Sequence, residues 1–379
     1  MSNLRVAYVI NDANFFVSHR LPLALSVINK GGHVAVITGK NINVKLENEA
    51  INLLKQYKIS HKSCNFSQGF RNPVSEIFGL FQLIYFLKMF RPTSVHSVTS
   101  KGNFMALLAL NILKKPKLIM SISGLGTMFT GEINAKKKFF LFLYKSILNF
   151  SLKRIKYNII FQNEDDFHQF NSLVKINSKN VEFVPGSGVD TSYFVPTKFK
   201  LNQRNILLPS RILYEKGVNE FIDAAKILKK RKVKANFYLA GDITSANPSR
   251  IPKEKIFSWI KEGIVIYLDH QKDMKSIYSK MNIVCLPSWR EGFPKVLMEA
   301  ASCGLPTITT DVPGCKHAII NNKTGILIPV KNSIALANAI EKLFQDQNLQ
   351  KLMGKAGRVL ALNKFDLKNI VPQIVKLYE

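Results

Sequence analysis

The chain reads as an α/β protein built on two Rossmann-like, doubly wound parallel sheets, and three observations predict this. Short apolar runs alternate with helix-period stretches from one end of the sequence to the other. The rhythm breaks at Pro185-Gly186-Ser187-Gly188-Val189-Asp190, followed by Pro196, and then restarts. A chain of 379 residues is also too long for one core and suits two. The expected domains are 1–190 and 191–379, with a ligand cleft between the sheets.

In the first half the strand-like runs are Arg5–Ile10, His33–Thr38, Thr93–Val98, Lys117–Ser121, Asn158–Phe161 and Val181–Val184. Each is rich in Val, Ile and Leu, as strands buried on both faces must be. Helix patterns at Ser18–Asn29, Asn103–Leu113 and Lys136–Ile155 lie between them. In the second half the strands are Asn205–Pro209, Asn236–Ala240, Ile264–Leu268, Asn282–Leu286, Thr307–Thr310 and Gly325–Val330. A helix is predicted from Pro294 to Cys303, with Pro at its first position and Gly304 just past its end. The closing stretch, Asp366–Leu377, reads as a helix able to pack back on the first domain.

Composition narrows the function. An apolar content of 46% excludes a disordered chain. No apolar run approaches the ~20 residues of a spanning helix, and the first strand is too short and too polar at its end for a signal peptide. Cys64, Cys285, Cys303 and Cys315 show no metal or redox spacing and read as buried thiols of a cytoplasmic protein. The formal net charge is +29. Both halves carry nearly equal shares of it, so there is no basic tail for nucleic acid, and none is expected as a partner.

The most informative local feature is Arg290-Glu291-Gly292-Phe293-Pro294-Lys295 with a second acid at Glu299. A strand ends just before it and a helix begins inside it. A helix start offers unpaired N–H groups and a partial positive charge, hence an anion site. Glu291 lies before that start and Glu299 about one and a half turns beyond it. Anion-binding amides beside two carboxylates suit a phosphorylated polyol such as a nucleotide sugar. Arg211 and Lys216-Gly217 follow the first strand of the second half and add phosphate-binding cations.

Glu291 and Glu299 in E-x7-E spacing, Arg211 with Lys216, and Gly188-Val189-Asp190 before Phe194 together resemble the retaining family 4 glycosyltransferases. That resemblance implies the GT-B fold and, within the family, bacterial transferases acting on undecaprenyl-diphosphate-linked saccharides. It implies that Arg211 and Lys216 clamp the donor diphosphate, Glu291 contacts the hexose and Glu299 the ribose. Gly292, Phe293, Pro294 and Lys295 would then face sugar and phosphate. Asp242, after Gly241 at a strand end, and Thr310, ahead of Asp311 and Gly314, are further donor-side candidates. The donor would be a UDP-sugar, with no cofactor and no metal, since Asp165-Asp166 is not the D-x-D signature.

The first domain is expected to hold the acceptor, a lipid-diphosphate-linked saccharide. Its candidates are His19, Arg20, His96 and Lys101. Relatives often carry H-x-H-x-x-K where this chain has Val98 in place of the second His, and His-Gly where it has Ser123-Gly124. His96 is read equally as a site residue and as strand packing. Seven basic side chains and an aromatic middle in Lys136–Lys156 suit a helix at an anionic membrane surface, or a buried helix with solvated ends. Asn72–Phe90 is a second membrane candidate. The alternatives are a nucleotide-sugar epimerase of the same fold and a non-enzymatic basic membrane- or nucleic-acid-binding protein.

Overall fold

The computed structural model describes residues 4–40, 44–67, 72–125, 135–197, 203–243 and 247–379. Two compact units emerge: residues 1–187 with 370–379, and residues 188–369.

The first unit contains seven parallel strands: β1 (Arg5–Ile10), β2 (His33–Lys40), β3 (Ser60–Ser67), β4 (Ser94–Val98), β5 (Lys117–Ile122), β6 (Tyr157–Phe161) and β7 (Val181–Phe183). Their order is 3-2-1-4-5-6-7. The chain therefore leaves β1 toward one edge, returns, and continues from β4 toward the other. This is the dinucleotide-binding arrangement, whose switch point lies between β1 and β4. Side-chain alternation commits both faces. Val6, Tyr8 and Ile10 join one core cluster, while Ala7 and Val9 join another.

The second unit repeats the plan with β8 (Asn205–Pro209), β9 (Asn236–Ala240), β10 (Ile266–Tyr267), β11 (Ile283–Leu286), β12 (Thr307–Thr310) and β13 (Gly325–Ile328). The strands are parallel in the order 10-9-8-11-12-13, so the switch point lies between β8 and β11. Ile206 and Leu208 face one helical layer and Leu207 the other.

Four features differ from the sequence expectation. β3 was not anticipated: Ser60-His61-Lys62-Ser63-Cys64-Asn65-Phe66-Ser67 is mostly polar because it is an edge strand with little to bury. The single helix expected at Ser18–Asn29 is two, Ala13–His19 and Leu21–Asn29, separated at Arg20 with φ −130°. Asp12 caps the first, accepting from Phe15 N at 2.7 Å, and Glu47 accepts from the amides of Ala13 and Asn14. The strand expected at Ile264–Leu268 contracts to two residues. The helix after Glu291 spans Lys295–Ser302, with Pro294 as its N-cap in extended conformation rather than its first residue.

The C-terminal segment completes the first unit. Ile370, Ile374 and Val375 enter its core, and the Tyr378 hydroxyl lies 3.0 Å from that of Tyr8 and 2.6 Å from His96 Nδ1. The other nitrogen of His96, Nε2, lies 2.7 Å from Ser121 Oγ. Ser94 Oγ donates to the Tyr378 carbonyl and Lys117 Nζ to that of Leu377. Burial, with the Arg20 charge nearby, holds the His96 imidazole well below its ordinary value. In the unfolded chain that ring titrates near ~6.5. Below this pH the unfolded state binds a proton that the folded unit refuses, so stability falls as pH falls, by about 1.4 kcal/mol per pH unit for one proton. His61, also lowered by burial, acts in the same direction. We expect His96→Gln to flatten, without abolishing, the loss of thermal stability between about pH 6.5 and pH 5. Parallel melting-versus-pH curves for variant and wild type would contradict this.

Candidate functional site

In the second unit the loops after β8 and β11 meet at the switch point, where a parallel α/β sheet opens a crevice at the carboxyl ends of its strands. The approach is close. Gly217 has φ 73°, and a Cβ there would sit 2.1 Å from the Pro287 carbonyl oxygen. Gly314, in the loop after β12, has φ 81°, and its Cβ would lie 2.4 Å from the Glu291 oxygen. Only glycine fits either position. The Trp289 amide donates to the Glu215 carbonyl at 2.9 Å, and the Glu291 amide reaches the Pro313 carbonyl.

This framework brings Lys216 and Glu291 together. Lys216 Nζ lies 2.5 Å from Glu291 Oε1, and Ser288 Oγ donates to the same oxygen at 2.7 Å. Ser288 is fully buried, and its carbonyl accepts from Thr310 Oγ1. One hydrogen-bonded chain thus runs from β12 through the loop after β11 to the loop after β8. Arg211, on that loop, is exposed, and among the described residues its guanidinium has no hydrogen-bond or ion-pair partner. It stands ready for an anion.

Glu299 is buried on the helix Lys295–Ser302. Tyr278 donates to its Oε2 at 3.0 Å, and Lys295 Nζ lies 3.6 Å from its Oε1. Burial pushes the Glu299 carboxyl above its ordinary value, while the charge of Lys295 and the hydrogen bond from Tyr278 pull the other way. The helix start carries no side-chain cap, and the Leu297 amide donates to the Pro294 carbonyl at 3.1 Å. Gly292 and Phe293 are half-buried in the preceding loop, with Phe293 packed edge-on against Phe365. Asp242 follows Gly241 beyond β9 and is half-buried. All the donor-side candidates therefore lie at the carboxyl edge of one sheet. Ser288 and Tyr278 were missed. Ser288 reads as the tail of an apolar run, and Tyr278 acts across 21 residues of sequence.

The acceptor-side candidates of the first unit behave differently. His96 is fully buried with both ring nitrogens engaged, so it packs the core and is not placed to touch a ligand. Lys101 is buried and its ammonium lies 2.6 Å from Glu76, which makes it an internal ion pair rather than an open cation. Arg20 is 3% exposed, donates to the His19 carbonyl and has a buried Nε without a hydrogen-bond partner. His19 is half-buried, stacked on Phe15 at 4.2 Å and 2.6 Å from Ser18 Oγ. All four cysteines are free and buried, and burial pushes Cys64, Cys303 and Cys315 up to about 12, far from nucleophilic use.

The family match falls on the second unit. Residues 190–360 match the family described as glycosyl transferases group 1. A curated relative from Campylobacter jejuni, N,N'-diacetylbacillosaminyl-diphospho-undecaprenol alpha-1,3-N-acetylgalactosaminyltransferase, is 26% identical over 99% of this chain and 98% of its own. The capsular polysaccharide biosynthesis glycosyltransferase CapM of Staphylococcus aureus is 25% identical over 96% of each. Among solved structures, Anabaena HepE in complex with UDP superposes with a TM-score of 0.77 at 16% identity, covering 99% of both chains. Residues 190–360 therefore carry a glycosyl transferases group 1 domain, in a chain that has the two Rossmann-like domains of the GT-B fold.

Proposed function

We propose that the protein is a metal-independent, retaining glycosyltransferase that moves a hexose or N-acetylhexosamine from a UDP-sugar to a polyprenyl-diphosphate-linked saccharide in surface-glycan or glycoprotein assembly. The observation that carries this reading is the grouping of Arg211, Lys216, Glu291 and Glu299 around the second switch point. Arg211 and Lys216 would bind the diphosphate, Glu299 the ribose hydroxyls and Glu291 the hexose. Gly292, Phe293, Pro294, Lys295, Thr310 and Asp242 would line the donor. The UDP found with HepE and the undecaprenol diphosphate in the name of the Campylobacter relative support the donor and acceptor classes. The first domain would receive the acceptor, and the enzyme would work at the cytoplasmic face of the membrane.

In the proposed reaction the bond from the anomeric carbon to the UDP β-phosphate breaks. The acceptor hydroxyl oxygen then attacks the same face of that carbon. Its proton passes to the departing phosphate oxygen, so no protein base is required. Negative charge grows on the leaving diphosphate, and Arg211 and Lys216 would meet it. Lys216 can do so without abandoning Glu291, because an ammonium has three donors.

Glu299→Ala should weaken UDP binding by about 1.5–3 kcal/mol, the worth of hydrogen bonds to a charged acceptor. The carboxylate must be ionised to accept both hydroxyls. Because burial raises its pKa, wild-type affinity should begin to fall at a higher pH than an ordinary glutamate would impose, and Glu299→Gln should remove that dependence. Calorimetry that gives equal affinity for Glu299→Ala and wild type would dismiss the ribose role.

Arg211→Ala should lower kcat by roughly a hundredfold with an unchanged melting temperature, since the side chain is exposed. Lys216→Ala should lower both, because it strands the Glu291 carboxylate. Normal turnover in either variant would exclude that residue from the clamp. Activity should also persist in excess EDTA, since the clamp cations already neutralise the leaving group. Its loss, with recovery on adding Mg²⁺ or Mn²⁺, would count against metal independence.

A further inference from the structure

The helix Pro73–Phe90 leaves an apolar stripe uncovered. Leu83, Leu87 and Gly79 face inward, and Gly79 approaches β3 so closely that a Cβ would lie 2.8 Å from the Asn65 backbone. The outward positions carry Val74, Ile77, Phe78, Phe81, Tyr85 and Met89, of which Val74 is 76% and Phe81 63% exposed. A solvated helix would place charges there; on this face the only one is Lys88. The neighbouring helix Thr99–Leu113 packs against both this helix and the helix Ala135–Leu152, so the three form one layer over one face of the sheet. That layer also exposes Ile112, Phe142 and Phe150.

Charge decides what covers the stripe. From Arg71 to Asn163 the sequence holds fourteen Lys and Arg against two acids, Glu76 and Glu132. Glu76 is itself buried and spent on Lys101. Lys62, Lys88, Arg91, Lys114, Lys115 and Lys145 are exposed around the layer. A second copy presenting the same patch would meet like charge, whereas anionic headgroups would meet opposite charge. The helix is long and apolar enough to cross a bilayer by composition, but its inward face is committed to β3 and to the helix Thr99–Leu113. It must therefore lie in the plane of the interface.

We infer that the outer face of Pro73–Phe90, bordered by the basic residues of its layer, is the docking surface for an anionic lipid bilayer. The stripe seats at the boundary of headgroups and acyl chains, and the lysines engage the lipid phosphates. This deepens the lipid-linked acceptor reading and rests on it only for its purpose: the surface would bring the enzyme to the membrane that holds its acceptor.

The test uses the full chain and vesicles of phosphatidylglycerol and phosphatidylcholine in equal parts. Wild type should co-sediment with them, bind weakly to pure phosphatidylcholine and lose binding as salt is raised. Replacing Phe78, Phe81 and Tyr85 together by Asp should reduce binding on the order of tenfold or more, with melting temperature and transfer to a water-soluble acceptor unchanged. Three results would overturn the inference: wild type left in the supernatant, variant and wild type pelleting equally, or a lipid-free wild-type dimer that the variant converts to monomer. The last would assign the stripe to a second copy. If no acceptor, soluble or lipid-linked, is glycosylated while the vesicle results hold, the transferase reading fails and the docking surface stands.

Discussion

The candidate site depends on a backbone constraint at the second switch point. β8 and β11 are neighbours whose loops lead to opposite edges of the sheet, and before they part the two chains approach at very short range. Glycine at 217 is what permits it, while Gly314 lets the loop after β12 approach Glu291 and Gly241 approaches Ser210 in the same way. Lys216 immediately precedes one of these glycines, and the Glu291 carbonyl is what another approaches. The positions of the proposed diphosphate cation and hexose acid are thus set by main-chain contacts before any side chain interacts. A displacement of either loop would move both.

Electrostatics then divides the labour between the two cations. Lys216 is pre-positioned, held by Glu291, which Ser288 in turn orients. Arg211 is exposed and keeps its freedom. In the proposed reaction one group would hold the register of a bound anion, and the other could follow the charge as it moves to the leaving oxygen. Glu299 illustrates the opposite problem. Burial penalises its charge, and Tyr278 and Lys295 offset part of that penalty while fixing where its oxygens point. A carboxylate held in this way is prepared to accept from paired hydroxyls with little further loss of entropy.

How much of this could be read from the sequence follows from the range of each interaction. The strands of both sheets were legible because full burial writes an apolar run, and β3 was not because an edge strand writes none. The E-x7-E pair was legible because a strand end and a helix start fix its geometry locally. Ser288, Tyr278 and the glycine contacts act between segments brought together only by the sheet, so no spacing announces them. The same limit explains His96 and Lys101. Each was a candidate because it falls where relatives carry the H-x-H-x-x-K pattern. Their partners, Tyr378 and Glu76, lie far along the chain and satisfy them internally.

That internal satisfaction has a consequence for the C-terminal segment. The apolar contacts of Ile370, Ile374 and Val375 favour burial but fix no register, since hydrophobic packing is non-directional. Direction comes from the polar groups. The Tyr378 hydroxyl sits between Tyr8 and His96, its carbonyl accepts from Ser94, and that of Leu377 accepts from Lys117. Sliding the segment by one residue would break all of these contacts and take their partners from His96 Nδ1, two tyrosine hydroxyls and a lysine, each at a cost comparable to a lost hydrogen bond. His96, which at first resembles an acceptor-site residue, is on this geometry one of the groups that make the end of the chain dock in one place.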